Sequence, residues 1–292
     1  MSTHAGWYLA AYDREVPEGV SPLAFGDRRL MTIRDGSSIR VLDATCPHRG
    51  AHLGHGGTVS GNCVVCPFHG RRVAIDRPDR PYSISEHETM LIGEMLFVRF
   101  GQGLDGELGF ADLIQAYAEE RHLVEVINEP VRASGPMVIE NAFDAEHFET
   151  LHHMPGVSGF RIAPSENGEI VMTGTMGRAG DASFFARAFS PTLVVTELRF
   201  RERTQVIITG TVPSADGCQT RIGYAVRHED GELWRTWAIG TKVGFQQDLV
   251  VWNNLDETIT PVLTAADDAL RSFWEFCDKF PKLETVEHQE NS

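Results

Sequence analysis

Alternation of apolar and polar positions dominates the first hundred residues. The run Arg28 to Ala44, RRLMTIRDGSSIRVLDA, holds two β-rich stretches around Asp35-Gly36, a dipeptide suited to a tight hairpin turn. Residues 90 to 100, MLIGEMLFVRF, repeat the pattern around Gly93-Glu94. Both predict short antiparallel strands in a small β-domain. Four glycines within residues 101–110 mark a linker. Beyond it the period changes. ADLIQAYAEERH, from Ala111, has the spacing of an amphipathic helix, and NAFDAEHFETLHH, 141 to 153, is rich in helix formers. Between 168 and 243 the runs EIVMTGTM, TLVVTELRF, TQVIITGTV and ELWRTWAIGTKV alternate in strand fashion and predict an antiparallel sheet. Near the end, Leu270, Phe273, Trp274, Cys277 and Phe280 share one helical face, which makes Cys277 a core residue. The expected architecture is α+β, a β-domain over residues 1–105 followed by a second domain over 106–292 whose antiparallel sheet is flanked by helices.

The composition fits that architecture. Of 292 residues, 42% are apolar and 23% charged, the balance of a soluble globular chain. No stretch approaches the roughly 18 apolar residues that cross a bilayer. The start, Met1-Ser-Thr-His-Ala-Gly-Trp-Tyr, lacks the basic flank and apolar run of a signal peptide, so a cytoplasmic protein is expected. A formal charge of −15, from 26 basic and 41 acidic residues, repels phosphate backbones and argues against a nucleic-acid partner. It would suit a basic docking face on a protein partner. The cysteines are Cys46, Cys63, Cys66, Cys218 and Cys277. An odd count with three clustered points to metal or redox chemistry, not a secreted disulfide framework. Cys218, beside a glycine in an apparent turn, carries no functional signal.

The cluster lies between the two hairpins, on loops. Cys46-Pro47-His48 and Cys66-Pro67-Phe68-His69 each offer one thiol and one imidazole. Two such loops suit a [2Fe–2S] cluster with cysteine on one iron and histidine on the other. A structural zinc site built on Cys63-Val-Val-Cys66, completed from residues 46 to 55, uses the same residue types. The flanks Cys-Pro-His-Arg-Gly and Cys-Pro-Phe-His-Gly resemble the Rieske motif, and that resemblance makes Cys46, His48, Cys66 and His69 the ligands. Cys63 is then a small buried bystander, and His52 and His55 face solvent. Rieske proteins of respiratory complexes carry two further cysteines joined in a disulfide. Ala51 and Phe68 stand at those places here, which favours the clusters of ferredoxins and oxygenases. Arg71 replaces the usual Trp after His-Gly, a change beside the cluster and not in its ligands.

A second constellation follows at Asn141-Ala-Phe-Asp144-Ala-Glu-His147-Phe-Glu-Thr-Leu-His152. Two imidazoles and a carboxylate can hold Fe(II) with coordination positions open. Residues five apart diverge by about 140° on a straight helix, so the helix must bulge or end between His147 and His152. The segment resembles the Asn-x2-Asp-x2-His-x4-His signature of Rieske non-haem iron oxygenases. By that resemblance His147 and His152 bind iron, and Asp144 bridges the two metal sites. His153 has no place in the signature. Gln247-Asp248-Leu-Val-Val-Trp252 resembles the carboxylate-bearing segment of the 3-ketosteroid 9α-hydroxylase-like branch, which makes Asp248 the third ligand.

The family implies a helix-grip-like catalytic domain and a terminal oxygenase that uses O2 and external electrons to hydroxylate, demethylate or desaturate a hydrophobic small molecule. Steroid-like or polycyclic substrates are implied by the branch, with oxidative cyclisation in natural-product biosynthesis equally open. A Rieske electron carrier without oxygenase activity, and a zinc-stabilised binding protein, are the rival classes. The chain has no dinucleotide fingerprint and no plant-type ferredoxin cysteine run. The implied donors are therefore a separate NAD(P)H-dependent reductase, a ferredoxin, or both. A homotrimer is also implied, in which the cluster of one subunit serves the iron of its neighbour through a link from His69 by Asp144 to His147.

Overall fold

The computed structural model describes residues 3–101, 108–163, 168–178 and 180–283, so most of the expected linker at 101–110 lies outside the described residues. The first half contains β1 (Thr3–His4), β2 (Gly6–Tyr12), β3 (Gly19–Phe25), β4 (Arg28–Asp35), β5 (Ser38–Asp43), β6 (Thr58–Val59), β7 (Cys63–Val65), β8 (Arg72–Ile75), β9 (Ser83–Ile84), β10 (Glu86–Ile92) and β11 (Met95–Phe100). Both hairpins expected from the alternation form, β4–β5 and β10–β11. They belong to a six-stranded sheet of order β2-β11-β10-β5-β4-β3, while β6-β7-β8-β9 make a smaller sheet; the Cys/His-rich loops run from β5 to β6 and from β7 to β8.

After α1 (Phe110–Glu120) comes one seven-stranded antiparallel sheet, of order β12-β18-β17-β16-β15-β14-β13. Its strands are β12 (Arg121–Val131), β13 (Ser158–Ala163), β14 (Ile170–Met176), β15 (Ala182–Ser190), β16 (Leu193–Phe200), β17 (Arg203–Ser214) and β18 (Gly217–Arg227). The connection from β12 to β13 holds α2 (Gly135–Glu140), a 3₁₀ turn Asn141–Phe143 and α3 (Ala145–Thr150). Then follow α4 (Trp234–Trp252), α5 (Asp268–Cys277) and β19 (Lys282–Leu283), which pairs with β1.

One expected strand is a helix. ELWRTWAIGTKV forms a 3₁₀ entry and the first half of α4. Its Trp, Ile, Thr and Val residues give a strand-like composition, but burial follows the helical repeat. Ala238, Phe245 and Trp252, seven apart, are the buried positions, packed with residues of β12 and β18. Ile239 and Val243 stay exposed. Cys277 packs at the edge of the main core, and Cys218 is buried on β18.

The two large sheets share that core. Trp7, Leu9, Tyr12, Met95 and Phe97 from the first sheet pack with Phe110, Phe189, Leu193 and Ile208 from the second half. The approach is close enough to require glycine. A Cβ on Gly210 of β17 would lie 2.5 Å from the Leu9 Cβ. Tyr12 adds a polar tie. The register of β12 against β18 shifts between Glu125 and Ile127, and the Tyr12 hydroxyl reaches the Ile127 carbonyl at 2.9 Å and the Ile222 carbonyl at 2.8 Å. Tyr12→Phe is therefore expected to lower the unfolding free energy by about 1–2 kcal/mol. In urea this reads as a lower midpoint with an unchanged slope; an unmoved midpoint would show that the hydroxyl is not a tie.

Candidate metal centres

Cys46 leaves β5 and Cys66 leaves β7, and each opens the same backbone turn. The Cys46 N–H donates to the Ala51 carbonyl at 2.8 Å, and the Gly50 N–H donates back to the Cys46 carbonyl at 2.9 Å. In the second loop the Cys66 N–H donates to Arg71 at 2.8 Å, and the Gly70 N–H to Cys66 at 2.9 Å. Gly50 and Gly70 turn with φ of 70° and 67°, a left-handed conformation that costs glycine least. The twin turns offset the unequal Cys-x-His and Cys-x2-His spacings. Both thiols are buried, at 1% and 2% exposure, and neighbour one another; the imidazoles lie outward, with His48 Nδ1 3.2 Å from His69 Nδ1. Burial pushes the Cys46 thiol up, while the backbone N–H groups of His48 and Arg49 act to lower it. Desolvation holds His48 below its ordinary value, aided by the charges of Arg71, His69 and Arg49.

Thiol beside thiol and imidazole beside imidazole is the donor arrangement of a two-iron cluster ligated differently at its two irons. It does not suit one ion. Among the described residues, the only His, Cys, Asp or Glu group of three or more with ligand atoms within 4.8 Å of one another is His147, His152 and Asp248. Cys63 is half-buried, not fully buried as expected, and is paired with Ala74 in the β7–β8 ladder. His55 is exposed. His52 departs from expectation: half-buried, its Nδ1 accepts the Gly54 N–H at 3.1 Å and braces the glycine-rich loop.

The second group depends on a helix that stops early. Asp144 caps α3 by accepting the Glu146 N–H at 3.0 Å, and the helix ends at Thr150. The His147 carbonyl accepts from Leu151 at 2.8 Å and also from His152 at 3.2 Å, a five-residue step of the π type. His153 then leaves with φ of 53°. This distortion swings His152 back toward His147, with ring centroids 5.1 Å apart. Asp248, on α4, completes the group with its Oδ1 3.3 Å from His152 Nε2. Each imidazole has its other nitrogen engaged: His147 Nδ1 lies 2.7 Å from the Asp144 carbonyl and His152 Nδ1 2.8 Å from Gln247 Oε1. An N–H at each Nδ1 would fix the tautomer and leave Nε2 as the ligating atom. The Asn141 amide donates to Asp248 Oδ1 at 3.3 Å. Burial lowers His147, against the charges of Asp144 and Asp248; the Asp248 hydrogen bond raises His152.

The three side chains stand in the wall of a cavity of about 660 Å³. Phe148, Met176, Phe184, Leu198, Ile207 and Trp237 make its lining largely apolar, and Thr196, Gln205 and Thr241 add sparse polar points. Size and lining suit a compact hydrophobic molecule. One contributor was not singled out in the sequence. Gln247 showed only as a neighbour of Asp248, since its bond to His152 spans 95 positions.

Comparison with known proteins matches the Rieske [2Fe-2S] domain family over residues 6–76 and the 3-ketosteroid 9alpha-hydroxylase C-terminal domain family over residues 112–280. The chain is 25% identical over 316 aligned positions, 94% of its length and 79% of the relative's, to the oxygenase component of 3-ketosteroid-9-alpha-monooxygenase from Rhodococcus rhodochrous. It is 22% identical over 323 positions, 94% of its length and 71% of the relative's, to cholesterol 7-desaturase nvd of Xenopus laevis. Among solved structures, dicamba monooxygenase bound to dicamba superposes with a TM-score of 0.70 at 16% identity, covering 94% of this chain and 97% of that one. The Pseudomonas putida CBB5 NdmA QL mutant with theobromine gives 0.71 at 15% identity, covering 93% and 89%. At such identities these two likenesses are of fold.

The role of Gln247 is open to a direct check. Gln247→Leu removes the acceptor that orients His152, and Fe(II) affinity of the purified protein is expected to fall about 10–100-fold with the fold unchanged by circular dichroism. Unaltered affinity would show that His152 needs no such partner.

Proposed function

Because this chain belongs to the 3-ketosteroid 9α-hydroxylase C-terminal domain family and is a Rieske non-haem iron oxygenase, we propose that it oxidises a hydrophobic small molecule of steroid-like or other polycyclic shape. The observation that carries this is the apolar cavity with His147, His152 and Asp248 in its wall. The names of the steroid monooxygenase and cholesterol desaturase relatives lend weight to that substrate class. The reaction is a monooxygenation or a desaturation. Residues 1–105 form the cluster domain and 106–292 the catalytic domain.

In this assignment Cys46, His48, Cys66 and His69 hold the [2Fe–2S] cluster, and His147, His152 and Asp248 hold the mononuclear Fe(II). When bound, the cluster supplies single electrons and the iron supplies open coordination positions for oxygen. The chain's own residues do the rest. The Asp144 carbonyl and Gln247 orient the two imidazoles, and Asn141 holds the Asp248 carboxylate. The aromatic and aliphatic cavity wall keeps water from the reacting carbon and seats an apolar ring system.

Electrons come from outside the chain, as Rieske oxygenases work with a separate reductase or ferredoxin. The assembly is a homotrimer in which His69 of one copy faces Asp144 of the next. Two features favour this. The Asp144 side chain is 33% exposed, its Oδ1 taken by the cap and its Oδ2 3.7 Å from His147 Nδ1, so it can accept a bond from outside. Ile239, Val243, Val250, Val251, Leu255 and Ile259 also leave apolar surface along α4 and its exit for another copy to cover.

The deciding test is EPR of anaerobically purified, dithionite-reduced protein with metal analysis. A low-average-g Rieske signal with about three irons per chain is expected. The signal with only two irons, not restored by added Fe(II), would make the protein an electron carrier; zinc without the signal would sink both metal assignments. Asp144→Asn is expected to keep both metals while slowing coupled turnover about tenfold or more. Unchanged turnover in that variant would defeat the bridging role.

A further inference from the structure

A second cavity, of about 590 Å³, lies behind α2. Val138 and Ile139 of that helix face the cavity beside the iron triad, while Pro136, Met137 and Glu140 face the second one, so α2 is the wall between them. Residues of β1, α5 and the turn into β19 close the other sides. Trp274 and Phe280 add to the apolar lining.

Two polar groups of this cavity are incompletely bonded. The Trp274 indole donates to Glu140 Oε2 at 2.8 Å, and among the described residues Glu140 Oε1 has no hydrogen-bond partner. His4 is held by its backbone, whose N–H and carbonyl each lie 2.9 Å from the Tyr8 hydroxyl. One nitrogen of its imidazole bonds to the Phe280 carbonyl, while Nδ1, although buried, has no partner among the described residues. A carbonyl only accepts, so the bonded nitrogen is Nε2 and carries the hydrogen. Desolvation holds His4 below its ordinary value, which keeps the ring neutral and leaves Nδ1 a lone-pair acceptor. Buried acceptors without a donor are rare in folded proteins.

The charges around Glu140 are mostly acidic. Burial pushes its carboxyl up to about 7 against the Trp274 bond, and Asp144 and Glu257 add to the rise. On the facing elements, Asp278 and Lys282 are both exposed and offset one another, and burial pushes the Cys277 thiol up so that it stays uncharged. The cavity thus presents acceptors and one latent negative charge beside an apolar wall. A metal ion is a poor match, since no three ligand atoms here lie within 4.8 Å of one another among the described residues. A primary ammonium matches. It brings three N–H donors, and its charge favours the carboxylate that burial disfavours.

We propose that this cavity binds a primary amine with a compact apolar body, its ammonium on Glu140 and His4 Nδ1 and its carbon skeleton against Trp274, Phe280 and Met137. As the ion pair forms, a protonated Glu140 gives its proton to solvent, and no other bond is made or broken. The site is separate from the oxygenase reading, because it uses no residue of either metal group.

The test is calorimetric titration of the iron-loaded holoenzyme with 2-phenylethylamine, beside 2-phenylethanol and 3-phenylpropionate, which carry the same ring on a neutral and an anionic group. The amine is expected to bind saturably at one site, and the alcohol and the acid about tenfold or more weakly by comparison. Glu140 is ionised only above its raised value, whereas the amine, like that of lysine, stays protonated to about pH 10. Affinity is therefore expected to rise about tenfold between about pH 6 and about pH 8. Glu140→Gln keeps an acceptor for the Trp274 indole and loses the charge, so amine binding is expected to weaken about tenfold or more with the melting temperature not lowered. Equal binding of amine and alcohol, or an affinity indifferent to pH, would overturn the proposal, and both are measured on the unaltered protein. Undiminished amine binding in the folded Glu140→Gln protein would also overturn it, by placing the amine on the iron or in the first cavity.

Discussion

A helix that ends one turn early is the constraint on which the catalytic half depends. Had α3 run on regularly, His147 and His152 would point about 140° apart. The step from His152 N to the His147 carbonyl, with the left-handed His153 behind it, brings the imidazoles to one place. Asp144 serves this arrangement twice. Its side chain starts the helix, and its carbonyl engages the first imidazole.

The rest of the fold supports this small piece of irregular backbone. The α2–α3 connection is pressed between the seven-stranded sheet, α4 and α5, with Phe143 stacked on Phe273 at 5.0 Å. The six-stranded sheet is tied to the same core through Leu9 against Gly210 and through Tyr12 at the β12 bulge. The cluster loops meet a different need. They bridge the six-stranded sheet and the small β6–β9 sheet, their thiols in the core between the two with Met31, Leu42, Val64 and Val73 and their imidazoles outside.

Chemistry was more legible in the sequence than pairing was. Cys46, His48, Cys66 and His69 show because each loop carries its donors within four residues between turn glycines. His147 and His152 show because they share one short segment. The hairpins show because Asp35-Gly36 and Gly93-Glu94 interrupt clear alternation. α4 was hidden, since its β-branched and aromatic residues imitate a strand, and only the burial of Ala238, Phe245 and Trp252 reveals its true period. Asp248 could be chosen from the later acids only by family resemblance, because nothing local says that α4 will lie against α3. Gln247 was out of reach for the same reason, since its partner His152 lies 95 positions away in the chain.

Adjacent positions on α4 hold two different kinds of contact to the same imidazole. Gln247 meets one nitrogen of His152 and Asp248 faces the other. A fluctuation that lifts this stretch of α4 releases a carboxylate and frees a ring to rotate in the same instant. Opening of the helix and dissolution of the triad are thus a single cooperative event. The amide protons around Gln247 and Asp248 would exchange with solvent only as often as the site itself comes apart.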